Sequence, residues 1–265
     1  MKRVLITGGS DGIGLETARL LSKKGDHLTL VARKREKLEQ AINALMGSGH
    51  DYIIADLTKK EEVHKVADHL NQHHYDVLIN SAGSGMYGRF EELDLHSQVN
   101  MMHLNMWSLT VLSHSYLAKA RKGDALVNLS STLGVTSFPG LAVYSATKAY
   151  VTSLSDSLWW ENKSRGVYVL GFCPGATATR FHHAAGGDSE IFPKYVMQNP
   201  VKVAQALVQA LTDRRKPRAV SGNVNRLMLF LQRFLSRKST VNMMGSFSPV
   251  RKSQIAHTGL GEPAH

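Results

Sequence analysis

RVLITGGSDGIG, residues 3–14, runs from an apolar, β-branched stretch straight into a glycine-rich turn and then into a helical pattern. Five more runs repeat the strand signature: HLTLVA (27–32), YIIA (52–55), DVLIN (76–80), ALVNLS (125–130) and VYVLGF (167–172). Amphipathic stretches near 13–24, 34–46, 59–72, 97–120 and 145–164 lie between them. Strands that are apolar throughout, alternating with helices, mark a parallel sheet buried on both faces by its own crossovers. The right-handed crossover rule then fixes the winding. The expected architecture is α/β, a doubly wound parallel sheet with helices on both faces, and the chain shows no internal repeat.

A chain of 265 residues with 43% apolar residues can enclose one sizeable core. No apolar run reaches the roughly 18 to 20 residues of a membrane span, and MKRVLITGG leads directly into the first strand, so neither a span nor a secretory leader is expected. The single cysteine, Cys173, has no cysteine partner and is expected to be a small buried apolar residue. These features point to the cytoplasm. The net charge of +11 is unevenly spread: residues 1–195 hold 21 Lys/Arg against 19 Asp/Glu, and residues 196–265 hold 11 against 2. Excess positive charge is thus a property of the C-terminal quarter.

Gly8, Ser10, Asp11, Gly12, Ile13 and Gly14 occupy the turn after the first strand and the start of the first helix. Glycines allow a tight turn and close backbone approach, and a helix N-terminus offers unpaired N–H groups, so a pyrophosphate fits there. The second strand ends at Val31, Ala32 and Arg33, with Lys34 and Arg35 next; no Asp or Glu stands where one would accept the ribose hydroxyls of NAD. A guanidinium at Arg33 pairs well with a phosphate, so NADP(H) is expected in preference to NAD(H). Lys34 and Arg35 read as the solvated first turn of a helix.

In YSATK, Tyr144 and Lys148 stand four residues apart and share one helical face. An ammonium beside a phenol favours the phenolate and moves the phenol toward the range useful for proton transfer. Ser131, thirteen residues earlier at the end of the fifth strand, is placed to hydrogen-bond an oxygen on which negative charge develops.

Together these motifs resemble the short-chain dehydrogenase/reductase family, classical type, over residues 3 to about 180. The resemblance rests on TGGSDGIG, Asp56-Leu57, NSAG (80–83), Asn105, the Ser131, Tyr144 and Lys148 spacing, and Pro174-Gly175 followed by Thr177 and Thr179. It implies a Rossmann-like fold with Tyr144 as general acid in reduction and general base in oxidation. It implies that Ser131 orients the carbonyl, that Lys148 lowers the Tyr144 pKa and holds the nicotinamide ribose, and that Asn105 positions a water relaying protons to Lys148. By the same resemblance Asp56 and Leu57 lie at the adenine, Asn80, Ala82 and Gly83 support the cofactor, and Pro174, Gly175, Thr177 and Thr179 meet the nicotinamide. A homodimer or homotetramer is implied as well. One departure is Asp11, where many NADP-using relatives carry a basic residue. Ser130 is a second hydroxyl beside Ser131, which the thirteen-residue separation from Tyr144 selects.

The remaining expectations concern the second half. Residues 180–198 lack periodicity and follow the sixth strand, where a substrate lid belongs. Residues 224–238, VNRLMLFLQRFLSRK, set Leu227, Met228, Phe230, Leu231, Phe234 and Leu235 on one helical face and Arg226, Arg233 and Arg237 on another, a cationic amphipathic helix suited to its own core, a sister subunit, a hydrophobic substrate entrance or the surface of a membrane. Beyond 240 the pattern fades, so the domain is expected to span 1–240 with a poorly ordered tail over 241–265. His73-His74 and His182-His183 lack metal-site spacing, and no metal is expected. The expected activity is NADPH-dependent reduction of a carbonyl on an apolar small molecule. A non-catalytic NADP-binding regulatory or membrane-associated scaffold protein is the alternative, against which the complete set of four polar residues speaks. No nucleic-acid module accompanies the basic tail, so no nucleic-acid partner is expected.

Overall fold

The computed structural model describes residues 1–186, 196–248 and 250. Seven parallel strands form one sheet: β1 (Arg3–Thr7), β2 (His27–Ala32), β3 (Asp51–Ile54), β4 (Val77–Asn80), β5 (Ala125–Leu129), β6 (Tyr168–Cys173) and β7 (Arg218–Val220), in the order β3-β2-β1-β4-β5-β6-β7. Chain direction reverses its march across the sheet between β1 and β4, the crevice where ligands bind in open α/β sheets.

Alternation along each strand builds two cores. Val4, Ile6, Val77, Ile79, Val127 and Phe172 face one layer, against α1 (Gly12–Ser22), α2 (Arg35–Asn43) and α8 (Pro200–Asp213). Leu5, Leu78, Leu126 and Val169 face the other, against α3 (Lys60–Gln72) and α5 (Leu109–Lys119). The period of two in strand side chains converts the apolar runs into these two faces. The long helix α6 (Ala142–Asn162) carries the YSATK motif and packs beside β6.

The expected helix over 97–120 is present but interrupted. Capped by Asp94, whose carboxylate accepts the Ser97 N–H at 2.7 Å, α4 (Leu95–Met102) passes into a π-turn (His103–Ser108) and then into α5. Both β7 and α8 went unread in the sequence. Three half-buried residues make β7, too few for a periodicity. The start of α8 carries a recognisable cap, Asn199 accepting from Val201 N at 2.8 Å with Pro200 in the first turn.

The C-terminal expectations need correction. Residues 224–238 do not form one helix: α9 (Asn223–Leu231) tightens into a 3-10 turn (Gln232–Phe234), Leu235 is extended, and α10 (Arg237–Ser246) begins anew. The cause is Ser236, whose hydroxyl takes the Ser239 N–H at 3.1 Å and caps a new helix. Order also continues past 240, because Met244 of α10 packs with Phe138, Leu141 and Tyr144. Of the 180–198 stretch, α7 (Phe181–Ala184) and a parallel bridge between Thr177 and Gln198 are described; residues 187–195 and 251–265 lie outside the described residues. Among the described residues no helix is long and apolar enough to cross a membrane.

Candidate active site

All the strands point their C-terminal ends at one edge, and the candidate residues collect there. Gly8 and Gly12 adopt left-handed backbone, with φ of +65° and +52°. A Cβ at Gly14 would run into the Gly8 carbonyl oxygen, and one at Gly8 would stand 2.9 Å from the Ala82 nitrogen. The loop is therefore wound against NSAG with no side chains between. Thr7 fastens the two: its hydroxyl accepts the Ser81 and Ala82 N–H groups, each at 3.1 Å. Asp11 caps α1, and Arg180 Nη2 stands 2.6 Å from its Oδ2. That pair neutralises the one acid of the loop. Gly12 faces Thr179, whose methyl group would lie 3.2 Å from an added Cβ, so a narrow cradle opens between the first loop and the segment after β6. Its glycines and the α1 N-terminus fit a pyrophosphate.

Arg33 follows β2, exposed and without an ion-pair partner among the described residues, whereas Arg35 is engaged by Tyr52 and Glu39. Asp56 binds the Thr58 N–H and hydroxyl through Oδ1, stiffening the turn that holds Leu57. Asn80 does not face the cradle. Its amide nitrogen donates to Ser113 at 3.1 Å and Asn128 at 3.0 Å inside the sheet-helix interface, so it supports the NSAG turn from below. The sequence could not tell which face a strand-end residue takes.

Ser131, Tyr144, Lys148 and Asn105 are all buried. Ser131 sits in extended backbone after β5, where its hydroxyl accepts Leu133 N at 3.1 Å and favours the ionised form of the neighbouring Tyr144 phenol. Lys148 Nζ donates to the Leu129 carbonyl at 2.9 Å and lies 5.8 Å from the Tyr144 ring centroid. The lowering of Tyr144 expected from Lys148 is outweighed here by burial. Burial pushes the phenol up to about 12, against the lowering effect of the Ser131 hydroxyl, and burial pushes the lysine down to about 8. The π-turn aims Asn105 inward, where its Oδ1 accepts Ser84 N at 3.0 Å and its Nδ2 donates to Ser84 O at 2.9 Å and Thr147 at 3.0 Å. A Cβ at Gly83 would stand 3.2 Å from Asn105 Oδ1 and 3.4 Å from Lys148 Nζ, so that glycine keeps the space between them clear.

Sequence reasoning assigned no role to Thr7, Ser84, Thr147 and Arg180, although Thr7 opens TGGSDGIG and Thr147 lies inside YSATK. Ser130 serves the scaffold, donating to the Lys148 carbonyl at 2.8 Å. Pro174 accepts Thr132 N at 2.9 Å, and the Thr177 hydroxyl donates to Gly175 O at 2.8 Å, which shapes the loop after β6. Cys173 is buried and its thiol is pushed up by burial, so it stays protonated. An apolar cluster of Met101, Phe138, Leu141 and Met244 covers Tyr144, with Phe181 at 5.4 Å between ring centroids. His182 closes this cluster through Tyr87, Nδ1 to hydroxyl 2.9 Å. At the far end of the sheet, His74 Nε2 lies 3.5 Å from Asp124 and 4.0 Å from Asp76, partners its sequence surroundings did not reveal.

A model of the family described as short chain dehydrogenase matches residues 2–189. The chain belongs to the short chain dehydrogenase family. This short chain dehydrogenase is 32% identical over 185 residues to Hydroxysteroid dehydrogenase-like protein 1 from Gallus gallus, 66% of this chain but 56% of that protein, so it spans little more than half of that relative's length. Against Carbonyl reductase family member 4 from Danio rerio it is 28% identical over 209 residues, 77% of this chain and 88% of that one. A solved short-chain dehydrogenase from Sphingobium yanoikuyae in complex with NADPH superposes with a TM-score of 0.78 at 26% identity, covering 89% of this chain and 97% of that chain. The chain is an NAD(P)-dependent oxidoreductase with the Rossmann-like fold of its family.

Proposed function

We propose that this short chain dehydrogenase reduces a carbonyl on an apolar small molecule with NADPH, Tyr144 supplying the proton. The observation that carries the reading is the convergence of Ser131, Tyr144 and Lys148 beneath the apolar cluster of Met101, Phe138, Leu141 and Met244. NADPH when bound supplies the hydride that reaches the carbonyl carbon. Ser131 offers its hydroxyl to the carbonyl oxygen, and Tyr144, held protonated by burial, passes its proton to that oxygen as the alcohol forms. The Lys148 cation stabilises the phenolate left behind. Asn105 holds the Ser84 backbone and Thr147 in place beside Lys148. The apolar lining selects the substrate class, in keeping with relatives named as a carbonyl reductase and a hydroxysteroid dehydrogenase-like protein.

Arg33, with no competing ion pair and no acid beside it, supports NADPH over NADH, and the NADPH complex of the Sphingobium yanoikuyae relative agrees. The Asp11 to Arg180 pair removes the objection raised by an acid in the glycine loop. The proposal includes a cytoplasmic homodimer or homotetramer, checked by light scattering on the purified chain, and no nucleic-acid partner. The decisive experiment follows NADPH oxidation with steroids, 3-oxoacyl thioesters, keto-sphingoid bases and simple aldehydes. Tyr144→Phe is expected to lower kcat about 10²- to 10⁴-fold with little change in NADPH affinity. Equal rates for the wild type and the Phe variant would exclude the mechanism.

A further inference from the structure

The segment after β7 is folded inside out. Asn225 of α9 is 3% exposed, donating to the Ser221 carbonyl at 2.9 Å and lying where a Cβ on Gly175 would run into its amide. Gln232 likewise turns inward, accepting the Thr136 hydroxyl and reaching Met244 Sδ at 3.9 Å. The apolar side chains take the opposite side: Leu227 is 59% exposed, Phe230 53%, Leu231 53% and Phe234 75%. Phe230 and Phe234 meet edge to face at 5.5 Å, so the exposed residues form a patch rather than scattered points. The same segment carries Arg226, Arg233, Arg237 and Lys238, all exposed and none in an ion pair among the described residues. No acidic residue occurs between Asp213 and Glu262.

Which occupant suits such a face follows from its two chemistries. In a twofold contact with a second copy, the same four cations would meet across the interface. Nucleic acid would satisfy the cations and leave phenylalanine and leucine side chains without apolar partners. An anionic lipid surface takes both, with Phe and Leu entering the acyl boundary and Arg and Lys resting at the phosphates. We propose that α9 and the turn after it dock this enzyme on an anionic lipid surface. The segment reaches the site through α10: Gln232 of the turn meets Met244, which packs on Phe138, Leu141 and Tyr144, and Ser248 bonds the Pro139 carbonyl at 2.7 Å. On the reductase reading given above, the substrate is then a carbonyl compound dissolved in the lipid, entering beside α10.

The test is sedimentation of the full chain with vesicles of phosphatidylcholine alone or mixed equally with phosphatidylglycerol, at low and at physiological salt. The expected result is binding to the anionic vesicles that weakens as salt rises. Phe230→Ser combined with Phe234→Ser is expected to weaken it about a hundredfold, and Arg233→Gln combined with Arg237→Gln roughly thirtyfold. Both double variants replace exposed side chains, so their melting temperatures and their turnover of a water-soluble carbonyl should match the wild type. Absence of vesicle binding at low salt by a folded chain would overturn the proposal. So would a Phe230→Ser/Phe234→Ser variant that turns a dimer into a monomer while lipid binding stays absent, which would assign the face to a second copy, or a gel shift with DNA in place of vesicle binding. Vesicle binding is read without turnover, so a failure of the reductase reading, seen as no NADPH oxidation with any carbonyl, remains distinguishable from a failure here.

Discussion

Burial acts on Lys148 and Tyr144 in opposite senses, pushing the lysine down to about 8 and the phenol up to about 12. Below about 8 the lysine keeps its charge and favours the phenolate that proton donation leaves; above it the charge is lost while Tyr144 remains protonated. The kcat/KM of reduction is therefore expected to be level below about pH 8 and to fall up to about tenfold per unit above it. In Lys148→Arg the fall should vanish from that range, because a guanidinium stays protonated. A pH profile of both proteins checks this. The stability signs differ too: the lowered lysine adds stability as pH rises through about 8, and the raised tyrosine gives it up only above its ordinary value of about 10. Arg33 is the other residue on which a number depends. Arg33→Glu should reduce the NADPH to NADH ratio of kcat/KM about a hundredfold or more, since it exchanges a charge-assisted bond for repulsion. Initial rates with each dinucleotide measure it. The four-residue spacing of Tyr144 and Lys148 was legible in sequence; the direction of the lysine Nζ, toward the Leu129 carbonyl, was not, because spacing fixes a face and not a rotamer.

Most elements with a period were readable, although α8, whose buried Val203, Ala204, Leu207, Val208 and Leu211 keep a helical spacing, was not read. Six strands and the helices between them declared themselves through apolar runs four residues long or more, whereas β7 has three half-buried residues and no pattern to show. The 224–238 stretch kept its helical spacing on paper, yet Ser236 offered a cap strong enough to start a new helix, and the apolar face turned outward because the amides of Asn225 and Gln232 hold the inner side. The π-turn was equally silent, since an extra residue in a helix leaves no compositional trace. Its contribution can be measured. Asn105→Ala removes three hydrogen bonds that fix Ser84 and Thr147, and should cost about 1–3 kcal/mol of stability in addition to a large loss of kcat. Denaturant titration gives the first quantity and NADPH oxidation the second.

Across the molecule, the site draws on the loop after β1, the NSAG turn after β4, the π-turn, the end of β5, the first turns of α6 and the loop after β6. No contiguous piece of chain contains it. The glycine loop and the spaced motifs identified most of these contributors, while the partners of Asn80, Ser113 and Asn128, were not legible. A sheet with two buried faces makes both sides of a strand end look alike in sequence. The charge asymmetry was visible before any fold was known, and part of it lies on exposed residues of α9 and the turns that follow.

The π-turn also bears on how this gene can change. A π-turn is an α-helix with one residue too many, so losing one codon between His103 and Ser108 would heal α4 and α5 into a single helix with both buried faces in phase. Deletion of Met106 should give a protein that folds and melts within a few degrees of its parent yet has lost its turnover, because the carboxamide of residue 105 no longer reaches Ser84. In this one turn, an inherited loss that leaves the fold in order would still silence the chemistry.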